Sequence, residues 1–231
     1  MEVPTGVPTP SPADLRAFVR RHTRLVPVPD VPGLRLHVAD DVARVSRAAT
    51  LELGLADADL PYWAFAWAGG LAVARYLVED PAAVAGLHVV DVASGSGLCA
   101  IAALRAGARS VHAFDIDPLA AAAVAVNARP NAVRIGFSLG DPLDEPPPRC
   151  DVLLAGDVCY QETMAARMLA WLGTAAARGT RVLLGDPGRT YLPAGLDRIA
   201  TYRVRTSLEL EDTAVTGAAV YDSPPARRAA T

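Results

Sequence analysis

The feature that most constrains this chain is a change of pattern at residues 89–106. Val89-Val90-Asp91-Val92 reads as a buried strand, Gly95-Ser96-Gly97 follows it, and an Ala/Leu-rich helix runs from Leu98 to Ala106. An apolar run of this kind suits a strand covered on both faces. Glycines between such a strand and a helix let backbone approach a ligand closely. The alternation then continues, with a strand at Ser110–Phe114, a helix at Leu119–Asn127, strands at Val133–Leu139, Val152–Ala155 and Val182–Leu184, and a helix at Thr163–Ala177. This order predicts an α/β fold, a doubly wound, Rossmann-like parallel sheet. Two runs after Leu196, Thr201–Leu210 and Ala214–Tyr221, read as an antiparallel pair closing one sheet edge.

Ahead of this region the pattern is weaker. Met1–Pro10 is Pro-rich and reads as loose. Ser11-Pro12-Ala13-Asp14 reads as a helix start, with a hydroxyl cap, a proline in the first turn and an acid at the positive helix end. Val26–Gly33 reads as a Pro-broken connector, Leu34, Leu36 and Val38 alternate like a short strand, and Asp40 is a candidate cap for a helix reaching Leu53. We therefore divide the chain into a tail and small cap, residues 1–60, and a main domain, residues 61–225, followed by a frayed tail from Ala226.

Composition removes several classes of function. The net charge is −3 with no basic patch, so nucleic acid is not the expected partner. Cys99, Cys150 and Cys159 lack Cys-x-x-Cys spacing and the four histidines are scattered, so no metal site is expected. Few cysteines, no signal-peptide pattern and no apolar run of ~18 residues predict a cytoplasmic protein outside the membrane. All 22 basic residues are arginine.

The glycine loop alone is ambiguous. Gly95-x-Gly97-x-x-Ala100 also fits a loose dinucleotide fingerprint, and Asp115, 18 positions after Gly97, suits ribose hydroxyls in either kind of site. Asp91 separates the two. A dinucleotide needs its doubly negative pyrophosphate at the helix N-terminus, and a carboxylate aimed there repels it. S-adenosylmethionine carries a sulfonium and an ammonium and no phosphate, so a carboxylate beside it is favourable. Asp91 with Asp115 thus favours the methyl donor over NAD, and Asp141 extends the acidic lining toward the adenine end. The bland alternatives are a solvated strand end for Asp91 and a loop acid for Asp141.

Asp91-Val92-Ala93-Ser94-Gly95-Ser96-Gly97 resembles the first motif of seven-strand, class I methyltransferases. Pro61-Tyr62-Trp63-Ala64-Phe65-Ala66-Trp67-Ala68-Gly69-Gly70, Asp115-Ile116-Asp117-Pro118, Gly156-Asp157-Val158-Cys159-Tyr160 and Gly185-Asp186-Pro187-Gly188-Arg189 follow the order and spacing of a narrower group. They resemble the electron-transfer-flavoprotein β-subunit lysine methyltransferases and their bacterial nicotinamide N-methylase-like relatives, over roughly residues 60–191. The resemblance implies S-adenosylmethionine as cofactor, S-adenosylhomocysteine as product, and a lysine on a protein partner, the flavoprotein β subunit, as acceptor. A small amine or pyridine is the alternative acceptor. It implies Trp67, Asp91, Ser94, Gly95, Gly97, Asp115, Ile116, Asp141 and Asp157 on the cofactor, Asp157 and Tyr160 in catalysis, and Trp63, Asp186 and Arg189 on the substrate side. Packing for the tryptophans and Tyr160, a helix cap for Asp157 and structural pairing for Arg189 are the competing readings. Gly69-Gly70 is expected to turn closely over the cofactor. The chain departs from the family at Ala93, where glycine is usual, and at Cys159, where phenylalanine is common. An intact Asp157-x-x-Tyr160 argues against a binding protein without turnover.

Overall fold

The computed structural model describes residues 9–55, 60–206 and 214–223. The expected loose N-terminus, the last residues of the run to Leu210 and the tail from Ala226 lie outside these. Helix α1 (Pro12–His22) begins with a closed capping box: Ser11 Oγ accepts from the Asp14 amide, and the Asp14 carboxylate accepts from the Ser11 amide. Strands β1 (Arg24–Pro27) and β2 (Arg35–Val38) form an antiparallel ribbon. The supposed connector from Val26 is therefore partly strand, and Pro27 is tolerated because a two-stranded ribbon has only edges. Helix α2 (Val42–Leu53) is capped by Asp41, whose Oδ1 accepts from the Arg44 amide, and not by Asp40, which pairs with Arg24.

A short 3-10 turn, Tyr62–Ala64, leads into α3 (Ala68–Glu79), a helix the sequence reading left unplaced. Trp63 lies in the turn and Trp67 caps the helix, so the two do not share a helical face. The rest alternates as expected: β3 (His88–Val92), α4 (Leu98–Arg105), β4 (Ser110–Asp115), α5 (Pro118–Ala128), β5 (Gly136–Leu139), β6 (Val152–Gly156), α6 (Glu162–Ala177), β7 (Arg181–Asp186), β8 (Asp197–Arg205) and β9 (Val215–Ser223). Strand β5 starts three residues later than Val133, because the Val133 amide closes the turn after α5 on Ala128 O at 3.1 Å.

The seven strands are ordered β5-β4-β3-β6-β7-β9-β8, with β9 antiparallel to both neighbours and the other pairs parallel. The chain winds outward from β3 through β4 and β5, then returns to β6 on the other side of β3. That reversal puts a crevice beyond the carboxyl ends of β3 and β6, where α/β sheets bind ligands. Side chains alternate across the sheet: Val90, Val92, Leu153 and Leu184 pack with Met168 and Trp171 of α6, whereas Val89, Leu154 and Leu183 pack with α3 and α4. Asp91 has the parity of Val89, which turns its carboxylate under α4.

Residues 9–55 pack into two of the molecule's cores, one against the sheet and one against α5. Leu34 and Leu36 join the α3/α4 core, while Phe18 and Val45 pack with Trp63 and α5. Two asparagines of the α5 region bind the ribbon. Asn127 Oδ1 accepts from the His37 amide at 2.7 Å and its Nδ2 donates to Ser96 O at 2.9 Å. Asn131 accepts from the Arg35 amide and donates to Arg35 O. The Asn127 pair links β2 directly to the glycine loop.

Candidate active site

A cavity of about 890 Å³ lies over the reversal point. Its floor is the loop after β3. Ala93 (φ 53°), Gly95 (φ 50°) and Gly97 (φ 80°) all take left-handed backbone, which coils the loop tightly before α4. Gly97 has a second reason to be glycine, since a Cβ there would meet Val124 of α5 at 3.0 Å. Ala93 accepts the same conformation with a methyl group, at a steric cost of ~1–2 kcal/mol.

Asp91, Ser94, Gly95, Asp115, Ile116, Asp141 and Asp157 all line this cavity, together with Trp63, Trp67 and Tyr160. Asp91 is buried, which rules out the solvated strand end. Its Oδ2 accepts from the Ala100 amide at 3.1 Å, and burial pushes its carboxyl up to about 8. Asp115 holds the loop from the next strand end: Oδ2 accepts from Gly95 N at 2.8 Å and Oδ1 from Asp117 N at 3.0 Å, and burial raises its pKa. With the Ile116 amide as a third donor, the carboxylate keeps acceptor capacity for a ligand hydroxyl. Asp141 caps a short turn through Leu143 N and pairs with Arg167 at 3.1 Å. Ser94 Oγ is buried beside the cavity without a hydrogen-bond partner.

These residues fit S-adenosylmethionine. An orphaned hydroxyl and two carboxylates raised by burial are stabilised by a ligand that brings an ammonium, a sulfonium and hydroxyls. They do not fit a pyrophosphate, which brings no cation to these carboxyls and adds negative charge beside them. No group of three or more His, Cys, Asp or Glu side chains is arranged to hold a metal among the described residues.

The opposite wall is built on Asp157, which directly follows β6 in left-handed backbone (φ 56°). Its amide donates to Gly185 O at 2.9 Å, its Oδ2 accepts from Gly70 N at 3.0 Å, and its Oδ1 accepts from Arg189 Nη2 at 3.0 Å. Asp157 is thus a helix cap as well as a cavity wall, but the helix it caps is α3, 87 residues upstream. Burial pushes its carboxyl up to about 6 against the pull of Arg189.

Gly69 and Gly70 lie inside α3 and do not turn over the cavity floor. A Cβ on Gly69 would stand 2.3 Å from Gly185 O, so this glycine lets the helix press onto β7. Trp63 is almost wholly buried and packs edge-on to Phe18. Trp67 donates from Nε1 to Tyr62 O and stacks near the Tyr62 ring, which in turn lies 5.2 Å from the ring of the exposed Tyr160. The sequence reading missed Tyr62 as the centre of this aromatic group.

Asp186 and Arg189 are not among the cavity-lining residues. Asp186 is fully buried, its Oδ1 accepts from the amides of Gly188 and Arg189 at 2.7 Å each, and its Oδ2 is buried without a hydrogen-bond partner. A substrate-side role for Asp186 therefore gives way to a structural one, and Arg189 pairs with Asp157. Cys159 is buried behind the wall and does not shape the cavity, whereas Cys99 does line it. No helix among the described residues is long and apolar enough to cross a membrane.

Comparison with known proteins agrees with this geometry. The ribosomal protein L11 methyltransferase (PrmA) family matches residues 77–157, from the end of α3 to Asp157. The electron transfer flavoprotein beta subunit lysine methyltransferase of Mus musculus is 36% identical over 172 residues, covering 71% of this chain and 68% of the mouse protein. The Xenopus laevis protein of that name is 31% identical and covers 91% of this chain and 87% of its own length. Among solved structures, SMU.776 in complex with SAH superposes with a TM-score of 0.55 at 10% identity, over 87% of this chain and 56% of that one, and shows the shared fold. The chain belongs to the electron transfer flavoprotein beta subunit lysine methyltransferase family and is an S-adenosylmethionine-dependent methyltransferase.

Proposed function

We propose that the acceptor is a lysine amine on another protein, the β subunit of an electron-transfer flavoprotein. The observation that carries this reading is the buried Asp157 carboxylate in a cavity that is also walled by the paired rings of Tyr62 and the exposed Tyr160. A long aliphatic stem suits the aromatic walls, and the amine it carries suits the carboxylate. The relatives named above act on this kind of acceptor.

Bound S-adenosylmethionine supplies a methyl carbon activated by its sulfonium, open to in-line attack by a neutral nitrogen. The chain's own residues do the rest. Asp115 would hold ribose hydroxyls, Asp91 and Ser94 would serve the amino-acid end, and Ile116, Asp141 and Trp67 would border the rest of the cofactor. A lysine ammonium has an ordinary pKa of ~10.4, so it must lose a proton before it can attack. Asp157 accepts a hydrogen bond from that nitrogen and aims its lone pair. Tyr160 holds the stem, and the proton leaves through the open mouth to water.

The test is to incubate the enzyme and labelled donor with the flavoprotein of its own source, and separately with nicotinamide. The enzyme has no lysine, so methyl-lysine found by mass spectrometry belongs to the added protein. Label on flavoprotein lysines supports the reading. Label on nicotinamide with the flavoprotein untouched would replace it with the small-molecule alternative.

A further inference from the structure

We propose that Arg189 is a positioning residue for methyl transfer: from behind the cavity wall it keeps the Asp157 carboxylate ionised and fixed toward the acceptor. The proposal rests on the reading above that Asp157 meets the acceptor nitrogen.

The geometry separates the two partners. Asp157 lines the cavity and Arg189 does not. The guanidinium reaches Asp157 Oδ1 with two donors, Nη2 at 3.0 Å and Nε at 3.3 Å, while Gly70 N takes Oδ2. Two fixed partners on different oxygens set the plane of the carboxylate and leave one acceptor site, on Oδ2, for a third. Arg189 is itself held in place. Asp186 at the end of β7 accepts the amides of Gly188 and Arg189, and this turn carries the side chain back across to β6. Asp157, Asp186 and Arg189 therefore form one brace between neighbouring strand ends.

A carboxylate buried without a cation takes up a proton near neutral pH, and a protonated acid no longer draws an ammonium. The charged and titratable groups around Asp157 leave this task to Arg189. Asp186 from β7 is an acid and works against ionisation, and the Cys99 thiol of α4 and the Cys159 thiol two residues on are pushed up by burial and stay neutral. The Gly70 amide of α3 contributes a hydrogen bond and no net charge. Asp157 already stands at about 6 with the guanidinium present, so its loss carries the carboxyl into the neutral range.

The test compares wild type, Arg189→Gln and Arg189→Lys. The first readout needs no turnover: the carboxyl carbon signal of Asp157, assigned by its loss in Asp157→Asn, is titrated by NMR. Arg189→Gln is expected to raise the midpoint by at least about one pH unit, the usual scale for losing one adjacent opposite charge, and Arg189→Lys to stay near wild type. The acid limb of kcat against pH should move by the same amount, with the KM for the flavoprotein unchanged. Melting and S-adenosylhomocysteine binding check that each variant folds, and Arg189→Met, which keeps the apolar stem, replaces the glutamine variant if that does not. An unmoved midpoint overturns the proposal, as does a many-fold rise in KM with an unmoved limb, which would make Arg189 an acceptor contact. A moved midpoint together with full activity of Asp157→Asn overturns the acceptor role given to Asp157 and leaves the brace standing.

Discussion

Two residues at the cavity carry conformations that their side chains disfavour. Ala93 and Asp157 both sit at positive φ, at the carboxyl ends of the adjacent strands β3 and β6. Such strain persists where the surroundings over-determine it, and it tends to gather at functional sites. Ala93 has no polar contact to justify its cost, so Ala93→Gly should stabilise the fold by up to ~1 kcal/mol, the relief being partly offset by a freer unfolded chain. Urea unfolding measures it, and a loss of stability would show that the methyl group packs usefully. Asp91 gives a prediction with a sign. Its carboxyl stands at about 8 in the fold, against an ordinary value of ~3.9 in an unfolded chain. Between about pH 4 and pH 8 the folded state therefore holds a proton that the unfolded state has released, and this group's contribution to stability falls as pH rises. Asp91→Asn keeps an oxygen for the Ala100 amide and removes that slope. Its stability advantage over wild type should grow across this window by up to ~1.4 kcal/mol per pH unit, while its affinity for S-adenosylmethionine drops. An advantage equal at pH 5 and pH 8 would show that Asp91 is not raised.

At the scale of elements, the strands and helices with a clear period were legible and the most central helix was not. Strand β3, the glycine loop and α4 stand out because an apolar run, two glycines and an Ala/Leu run follow each other within 18 residues. Helix α3 carries no such signal, since Ala68 through Ala74 are all buried and no polar face marks a 3.6-residue period. Its Gly69 and Gly70 read as a turn, although their use is the close approach to Gly185 and the hydrogen bond to Asp157. The site residues contributed by single strand ends, Asp91, Asp115 and Asp157, were legible for the same reason as the strands. The partners that fix them were not, because Gly70–Asp157 and Arg189–Asp157 join elements 87 and 32 residues apart. Asn127 escaped notice as one polar residue near the end of an alanine-rich helix. It satisfies a strand amide and a loop carbonyl from a fully buried position, so Asn127→Ala should cost ~2–4 kcal/mol by leaving both without partners. It should also weaken cofactor binding, because Ser96 lies in the glycine loop. Chemical denaturation and calorimetry check the two effects, and a variant that loses stability while keeping full affinity would uncouple the ribbon from the loop.

For the molecule as a whole, the N-terminal elements and the sheet share packing and the lining of the cavity. Phe18 of α1 and Val45 of α2 share a core with Trp63 and α5, Leu36 of β2 joins a second core with α3 and α4, and Ser46 and Ala49 of α2 line the cavity itself. A cap that merely rested on the sheet would unfold separately and leave the cofactor in place. Shared cores and a shared cavity instead predict that the parts melt together and that a ligand of the cavity stabilises all of them. The full chain should therefore show a single thermal transition, followed alike by tryptophan fluorescence and by far-ultraviolet circular dichroism. S-adenosylhomocysteine at one hundred times its Kd should add ~2.7 kcal/mol, and for a domain of this length each kcal/mol raises the Tm by ~2–4 °C. NAD at the same concentration should leave the transition where it is, because its pyrophosphate brings no cation to Asp91 and Asp115 and adds negative charge beside two carboxyls that burial already raises. Two resolved transitions, with only the later one moved by ligand, would show that the N-terminal elements are an independent unit. A shift with NAD alone would overturn the assignment of the cavity to the methyl donor.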